Sequence, residues 1–377
     1  MTSTTPGKST LKAISAGLTS PARLSRNGLR AGPARIAGLA LADPETSFTQ
    51  EQVLDLLGLK DDEFAQRIFS RCGVHRRRLR LSEELLATTL QGRTLAIEEH
   101  LFGDTVRAVD ALEIDPAQIG VVISSSLFSL GGPTLAHRVV DHYEMDAATD
   151  KYHVLGVGCA SAVPLVRLAS QALREHPGKK ALVVAAESMT GILMGASEDD
   201  ERSKTVGSAI FGDGCAVALV ELGGAPAGSG DRSGPVVLAS KVHQIAGTLD
   251  AVRMQLTGDD SYLHIVRELP DLAGAGLLEL VGDFLAAHAI EREAINHWLI
   301  HPGGRRIIES VQQALCLSDE QVSVSFEVLA DNGNVGTPSI FYVLQRTIEQ
   351  NDPAPGEHGL MVTIGPGVTV GLMLLRW

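Results

Sequence analysis

Short apolar runs, each too brief for a helix and each followed by residues at helical spacing, recur along this chain and constrain its fold more than any other feature. IGVVISSSL and ALVVAAES lack the polar alternation of a half-exposed strand, so they are predicted to be buried on both faces of a sheet covered by helices. Helical patterns lie around HRVVDHYEM and ASAVPLVRLASQALREHP, and the alternation predicts an α/β core. CAVALVEL then runs into GGAPAGSGDRSGP, residues 223–235, where Gly, Pro and Ser break both periodicities. Beyond it the scheme recurs: VVLASKVHQIA, a helical GAGLLELVGDFLAAHAI, a short HWLIHP, a helical GRRIIESVQQAL, and a terminal pair, GLMVTIGPG and TVGLMLLRW, read as a hairpin. The expected organisation is a basic tail (1–31), a first half (32–222), a linker (223–235) and a second half (236–377) built as a similar α/β unit.

The tail carries Lys8, Lys12, Arg23, Arg26 and Arg30 without an acidic residue and has the composition of a solvated segment. The whole chain of 377 residues has a formal net charge of -13, which argues against a surface built for nucleic acid or anionic lipid. No apolar run reaches the roughly 18–20 residues of a bilayer-crossing helix, and no secretory leader is recognised at the N-terminus. Cys72, Cys159, Cys215 and Cys316 are widely spaced, with no CxxC pair, so neither a zinc site nor a disulfide framework is expected. These features predict a cytoplasmic protein with no metal and no membrane partner.

Cys159, in VLGVGCASAVPLV, sits where Leu165, Leu168, Ala169, Ala172 and Leu173 begin a helical spacing. Unpaired N–H groups and the helix dipole at that position favour a thiolate, which makes this cysteine a candidate nucleophile. A nucleophilic thiol needs a proton partner, and His301 in HWLIHPGGRRIIES is placed after a short strand, where open α/β sheets expose functional groups. Asn334, in ADNGNVGTPS, has an amide able to donate to a developing oxyanion.

Taken together, GCASA, FGDG (Phe211 to Gly214), HPGG, GNVG and the closing GPG (Gly365 to Gly367) occur in the order and rough spacing of one superfamily. The sequence resembles the type III polyketide synthases, the chalcone-synthase-like members of the thiolase superfamily, over residues 36–377. The resemblance implies a homodimer of five-layered αβαβα subunits, with no cofactor beyond CoA thioester substrates. Cys159 matches the nucleophile that takes an acyl group from a starter acyl-CoA. His301 and Asn334 match the pair that holds malonyl-CoA and stabilises the enolate left after decarboxylation. The implied reaction is an acyl transfer followed by decarboxylative Claisen condensation and cyclisation to an α-pyrone or resorcinol-type product.

Phe211 matches a gatekeeping aromatic between CoA tunnel and cavity, and Leu263 stands where plant enzymes carry a second phenylalanine. Ser125, Leu130, Met189, Ile192 and Gly336 fall at further cavity positions and differ from the plant enzymes toward a less polar chamber, which favours an aliphatic starter. Arg71, Arg76 and Arg77, in SRCGVHRRRLRL, are the expected holders of CoA phosphates. Two rivals share a Cys-His-Asn trio. A β-ketoacyl synthase III would condense once on a carrier protein and usually shows an HQAN-like histidine context; papain-like hydrolases place the cysteine near the mature N-terminus. HPGGRRII and the deep position of Cys159 fit neither.

Overall fold

The computed structural model describes residues 33–129, 131–193, 201–223, 234–257 and 260–377; the expected tail, most of the expected linker and Leu130 lie outside them. The apolar runs of the sequence become strands of one nine-stranded sheet. In spatial order they are Ile295–Ile300, His358–Gly365, Thr369–Arg376, Val236–Gln244, Ala34–Ala42, Asp213–Leu222, Lys180–Ser188, Ile119–Ser125 and Asp150–Val154. Two pairs alone, Ala34 with Val237 and Arg35 with Val236, join Ala34–Ala42 to Val236–Gln244. The sheet is therefore two sub-sheets meeting at a narrow seam.

Their topologies match. In the first, Ala34–Ala42 pairs antiparallel with the last strand, Asp213–Leu222; that strand pairs antiparallel with Lys180–Ser188, which lies parallel to Ile119–Ser125. In the second, Val236–Gln244, Thr369–Arg376, His358–Gly365 and Ile295–Ile300 repeat the same senses of pairing. The first sub-sheet adds Asp150–Val154 as an outer parallel strand.

Side-chain alternation sorts the apolar residues into three cores. Val122, Leu182, Val184 and Val217 face the outer helices Leu90–Asp110 and Leu135–His142. Their sequence neighbours Val121, Ile123, Val183 and Ala218 face inward, where Val163, Leu165 and Val166 of the helix Ala162–Ala172 meet Ile340, Phe341 and Val343 of the helix Ser339–Asn351. Met361 and Met373 reach the same layer from the second sub-sheet, while Leu360, Val362, Leu372 and Leu374 face Leu277–Ala286 and Arg305–Ala314 on the far side. A strand with period 2 and two apolar faces needs a helical layer on each side. Two such sub-sheets sharing the middle layer give the αβαβα arrangement.

Candidate functional site

Cys159 follows the strand Asp150–Val154 and lies in a 3-10 turn, Gly158–Ala160, that runs directly into the helix Ala162–Ala172. The closing GPG segment explains the small residues here. A Cβ on Gly158 would come 2.9 Å from Pro366, and one on Gly365 would come 2.6 Å from the Ala160 nitrogen. Close backbone approach thus locks the cysteine turn against the end of the strand His358–Gly365.

Asn334 occupies the corresponding place in the second half, just before the helix Ser339–Asn351. Its backbone is stitched to the first half: its N–H donates to the Ile210 carbonyl at 2.7 Å, and its own carbonyl accepts from Gly212 N–H at 3.0 Å. The amide is oriented by its partners, because Oδ1 accepts the Gly336 N–H at 2.9 Å and the Ser339 hydroxyl at 3.3 Å. Nδ2 is thereby turned toward the Gly303 carbonyl, 3.4 Å away, and the Cys159 sulfur at 3.9 Å. His301 extends the strand Ile295–Ile300 by one ladder bond, its N–H to the Val362 carbonyl at 2.9 Å, before Gly303 and Gly304 turn the chain into the helix Arg305–Ala314. Its ring is buried, and among the described residues neither nitrogen has a hydrogen-bond partner, which leaves both for a ligand.

The electrostatics differ from the thiolate expected at a helix N-terminus. Burial pushes the Cys159 thiol up to about 12, opposed by the Asn334 hydrogen bond and reinforced by Glu187. Burial also drives His301 down to about 3. Desolvation outweighs the helix terminus, so the resting pair is a neutral thiol beside a neutral imidazole. Glu187, at the end of the strand Lys180–Ser188, is pushed up to about 8 by burial and accepts the Leu127 N–H at 2.8 Å. The sequence reading passed over this carboxyl group, although an acidic residue ending the apolar run ALVVAAES was a visible signal.

Cys159, His301, Asn334, Phe211 and Met189 line one cavity of about 1320 Å³. Phe211 and Asn334 are directly bridged through their backbones. Leu263 lies on the strand Asp260–Ile265, opposite Met254, in a hairpin whose Val252, Arg253 and Ile265 also line the cavity. The side chains of Leu263 and Ile192 lie outside the described residues. Two expected cavity positions are corrected. Ser125 is buried at its strand end and does not line the chamber, and Gly336 is covered by Met189, whose Cε would sit 2.5 Å from a Cβ added there.

The arginines are also redistributed. Arg71 lines the cavity as expected. Arg76 does not; it is exposed and pairs with Asp331 at 3.2 Å. Arg77 is wholly buried and donates to the carbonyls of Phe211 and Ser208, so it has no route to a phosphate. The cavity instead gathers Arg67, Arg253, Arg267, Arg305 and Arg306 around Arg71. These come from separate segments, and nothing in the linear spacing marks them as one group. Arg253 and Arg305 pair with Asp250 and Glu309, at 3.4 and 2.7 Å. In a chain of net charge -13 the cluster is a local positive field suited to a polyphosphate. Among the described residues no group of His, Cys, Asp and Glu is arranged to hold a metal ion.

Comparison with known proteins finds relatives of both halves of the chain. Residues 42–228 match the sequence model of the FAE1/type III polyketide synthase-like proteins, and residues 237–377 match that of the chalcone and stilbene synthase C-terminal domain. The chain is 28% identical over 359 residues to a 3,5-dihydroxyphenylacetyl-CoA synthase of Streptomyces toyocaensis, covering 91% of this chain and 90% of the relative. It is 27% identical to a 1,3,6,8-tetrahydroxynaphthalene synthase of Streptomyces peucetius subsp. caesius, over 91% of this chain and 93% of that one. An α-pyrone synthesis polyketide synthase-like protein of Mycobacterium tuberculosis is likewise 27% identical, over 90% of each chain. In fold, the crystal structure of PKS-I from the brown alga Ectocarpus siliculosus superposes with a TM-score of 0.83 at 23% identity, covering 92% of this chain and 99% of that one. With both halves matched in order, the chain belongs to the type III polyketide synthase family.

Proposed function

We propose that this protein is an acyltransferase that condenses an acyl-CoA starter with malonyl-CoA on Cys159 and cyclises the product to an α-pyrone or resorcinol-type ring. The observation that carries this reading is the convergence of Cys159, His301 and Asn334 in one cavity that also gathers six arginines. In the loading step the Cys159 sulfur attacks the starter thioester carbonyl while its proton passes to His301; CoA leaves as a thiolate and takes that proton. Malonyl-CoA then loses CO2, and the electron pair of the broken C–C bond becomes an enolate. Asn334 Nδ2–H and one N–H of the neutral His301 ring donate to its oxygen, the preorganised two-donor arrangement that a dry site makes effective. The enolate carbon attacks the acyl carbonyl and Cys159 departs as the thiolate. A lowered His301 pKa serves this step, because a neutral imidazole still has one N–H to donate.

An aliphatic starter is favoured by the apolar walls, which include Ile68, Leu127, Met189, Val206 and Ile265. A homodimer is supported by the outer strand Asp150–Val154, which pairs among the described residues on one side only, with Ile119–Ser125, and carries Tyr152, 37% exposed. The free cysteines fit a cytoplasmic location, and the chemistry needs no cofactor beyond the CoA thioesters. Incubating the protein with acetyl-, aryl- and long-chain acyl-CoA in turn, each with malonyl-CoA, and weighing the products by mass spectrometry tests the reading. Multiply extended pyrones or resorcinols that vanish in Cys159→Ala support it. A single condensation that requires a carrier protein would overturn it.

A further inference from the structure

We propose that Arg77 is a positioning residue that sets the Phe211 gate and the Asn334 donor together from behind the cavity wall. It sits on the short strand Arg76–Arg78, paired with Phe48 of Ser47–Thr49, and is fully excluded from solvent. Nη1 donates to the Phe211 carbonyl at 2.8 Å and Nη2 donates to the Ser208 carbonyl. The guanidinium carbon also lies 5.7 Å from the centre of the Phe69 ring. Both accepting carbonyls belong to the end of the helix Glu201–Ile210 and the turn after it, where the last carbonyls of a helix have no partner of their own.

The same turn carries the second half of the active site. Ile210 accepts the Asn334 N–H and Gly212 donates to the Asn334 carbonyl, so residues 208–212 are held by Arg77 on one side and hold Asn334 on the other. Gly333, at φ 68°, has no room for a side chain: a Cβ there would lie 2.6 Å from the Ile210 carbonyl oxygen and 3.5 Å from Arg77 Cδ. The guanidinium thus holds the gate turn, while the aliphatic stem of Arg77 lies where a side chain on Gly333 of the asparagine turn would have to go. Cys159, in contrast, is fixed by the Pro366 and Gly365 contacts and does not depend on Arg77. Loss of the two donated bonds frees Phe211 and Asn334 but leaves the thiol where it is.

This inference rests on the proposed malonyl-CoA chemistry, and its test separates the two. In wild type, Arg77→Lys and Arg77→Met, two rates are compared: decarboxylation of malonyl-CoA to acetyl-CoA, which needs Asn334 as an enolate donor, and alkylation of Cys159 by iodoacetamide, which Asn334 influences only through its 3.9 Å contact with the sulfur. Arg77→Met is expected to lower decarboxylation at least tenfold while alkylation stays within twofold. Arg77→Lys keeps the charge but reaches one carbonyl, so its loss is intermediate. Both variants also accept bulkier starters with reduced preference. If wild type itself fails to decarboxylate malonyl-CoA, the proposed function is at fault. If wild type decarboxylates and the ratio of the two rates is unchanged in the soluble variants, the positioning role is refuted. Failure of both variants to fold refutes it equally, since Arg77 would then serve the fold as a whole.

Discussion

Gly336 offers the sharpest quantitative test of how the wall behind Cys159 is packed. Its φ is +71°, and a Cβ would meet Met189 Cε at 2.5 Å and Glu187 Cγ at 3.1 Å. Gly336→Ser incurs two separable costs. A non-glycine residue in the left-handed region costs about 1–2 kcal/mol, and overpacking a filled core site costs about 1–3 kcal/mol. The expected destabilisation is thus roughly 2–5 kcal/mol. Cutting Met189, buried and lining the cavity, back to alanine relieves the 2.5 Å contact and leaves the 3.1 Å approach to Glu187 Cγ. In the Met189→Ala background the serine should cost about 1–3 kcal/mol, which leaves a coupling energy of about 1–2 kcal/mol between the two sites. Urea unfolding of wild type, both single variants and the double variant, extrapolated linearly to water, measures every corner of the cycle. If the serine costs the same in both backgrounds, Met189 does not cover Gly336 and the account of this wall is wrong.

Other consequences follow from the charges of the site. Because burial raises the Cys159 thiol to about 12, its alkylation by iodoacetamide should keep accelerating with pH beyond about 9; a plateau near pH 6 would show a resting thiolate–imidazolium pair instead. The arginine cluster predicts that KM for malonyl-CoA rises several-fold as salt goes from about 50 to about 200 mM while kcat holds. A flat KM, or a KM for Arg267→Glu equal to wild type, would remove the cluster from CoA binding. Glu187 is raised from 4.5 to about 8, so its contribution to stability is fully present below pH 4.5 and is lost as pH rises through about 8. Glu187→Gln should therefore gain on wild type by a few kcal/mol between about pH 5 and about pH 9 in unfolding experiments, and a constant difference would mean the carboxyl is not desolvated.

The strands and the turns that bring Cys159, His301 and Asn334 to one cavity were legible because each leaves a local mark. A doubly buried strand must be apolar at nearly every position, so IGVVISSSL and GLMVTIGPG announced themselves. Cys159 and Asn334 come embedded in glycine-rich turns where Gly365 and Gly333 face backbone atoms at 2.6 Å, and His301 precedes Gly304, whose φ of 146° suits glycine. Arg76, Arg77 and Arg78 show the limit. Three identical residues in a row do not act together, because successive strand residues point to opposite sides: Arg77 turns to the interior, while Arg76 and Arg78 turn the other way and pair with Asp331 and Asp43. A basic cluster in sequence is thus no cluster in space. The cluster that exists joins Arg67 and Arg71 to Arg253, Arg267, Arg305 and Arg306, and only the fold brings these together. Ser125 and Gly336 misled for a related reason, since Met189 fills the space that would have exposed Gly336, and no one-dimensional pattern reports which of two adjacent residues stands in front.

Desolvation of Cys159 and His301 ties these observations into one mechanism. Desolvation makes Cys159 a weak nucleophile at rest and leaves His301 uncharged, which at first sight opposes catalysis. The same desolvation strengthens the hydrogen bonds that Asn334 and His301 can offer to an enolate, since water does not compete for them. Charge at the Cys159 and His301 end of the cavity is costly unless those donors are engaged. Among the described residues, the side-chain donor to a thiolate formed without substrate is Asn334 Nδ2, 3.9 Å away. In the proposed mechanism an enolate oxygen has two donors. The site therefore disfavours free charge and favours charge at the point in the reaction where it must appear, and proton transfer from Cys159 to His301 is expected to accompany attack on the starter thioester rather than precede it.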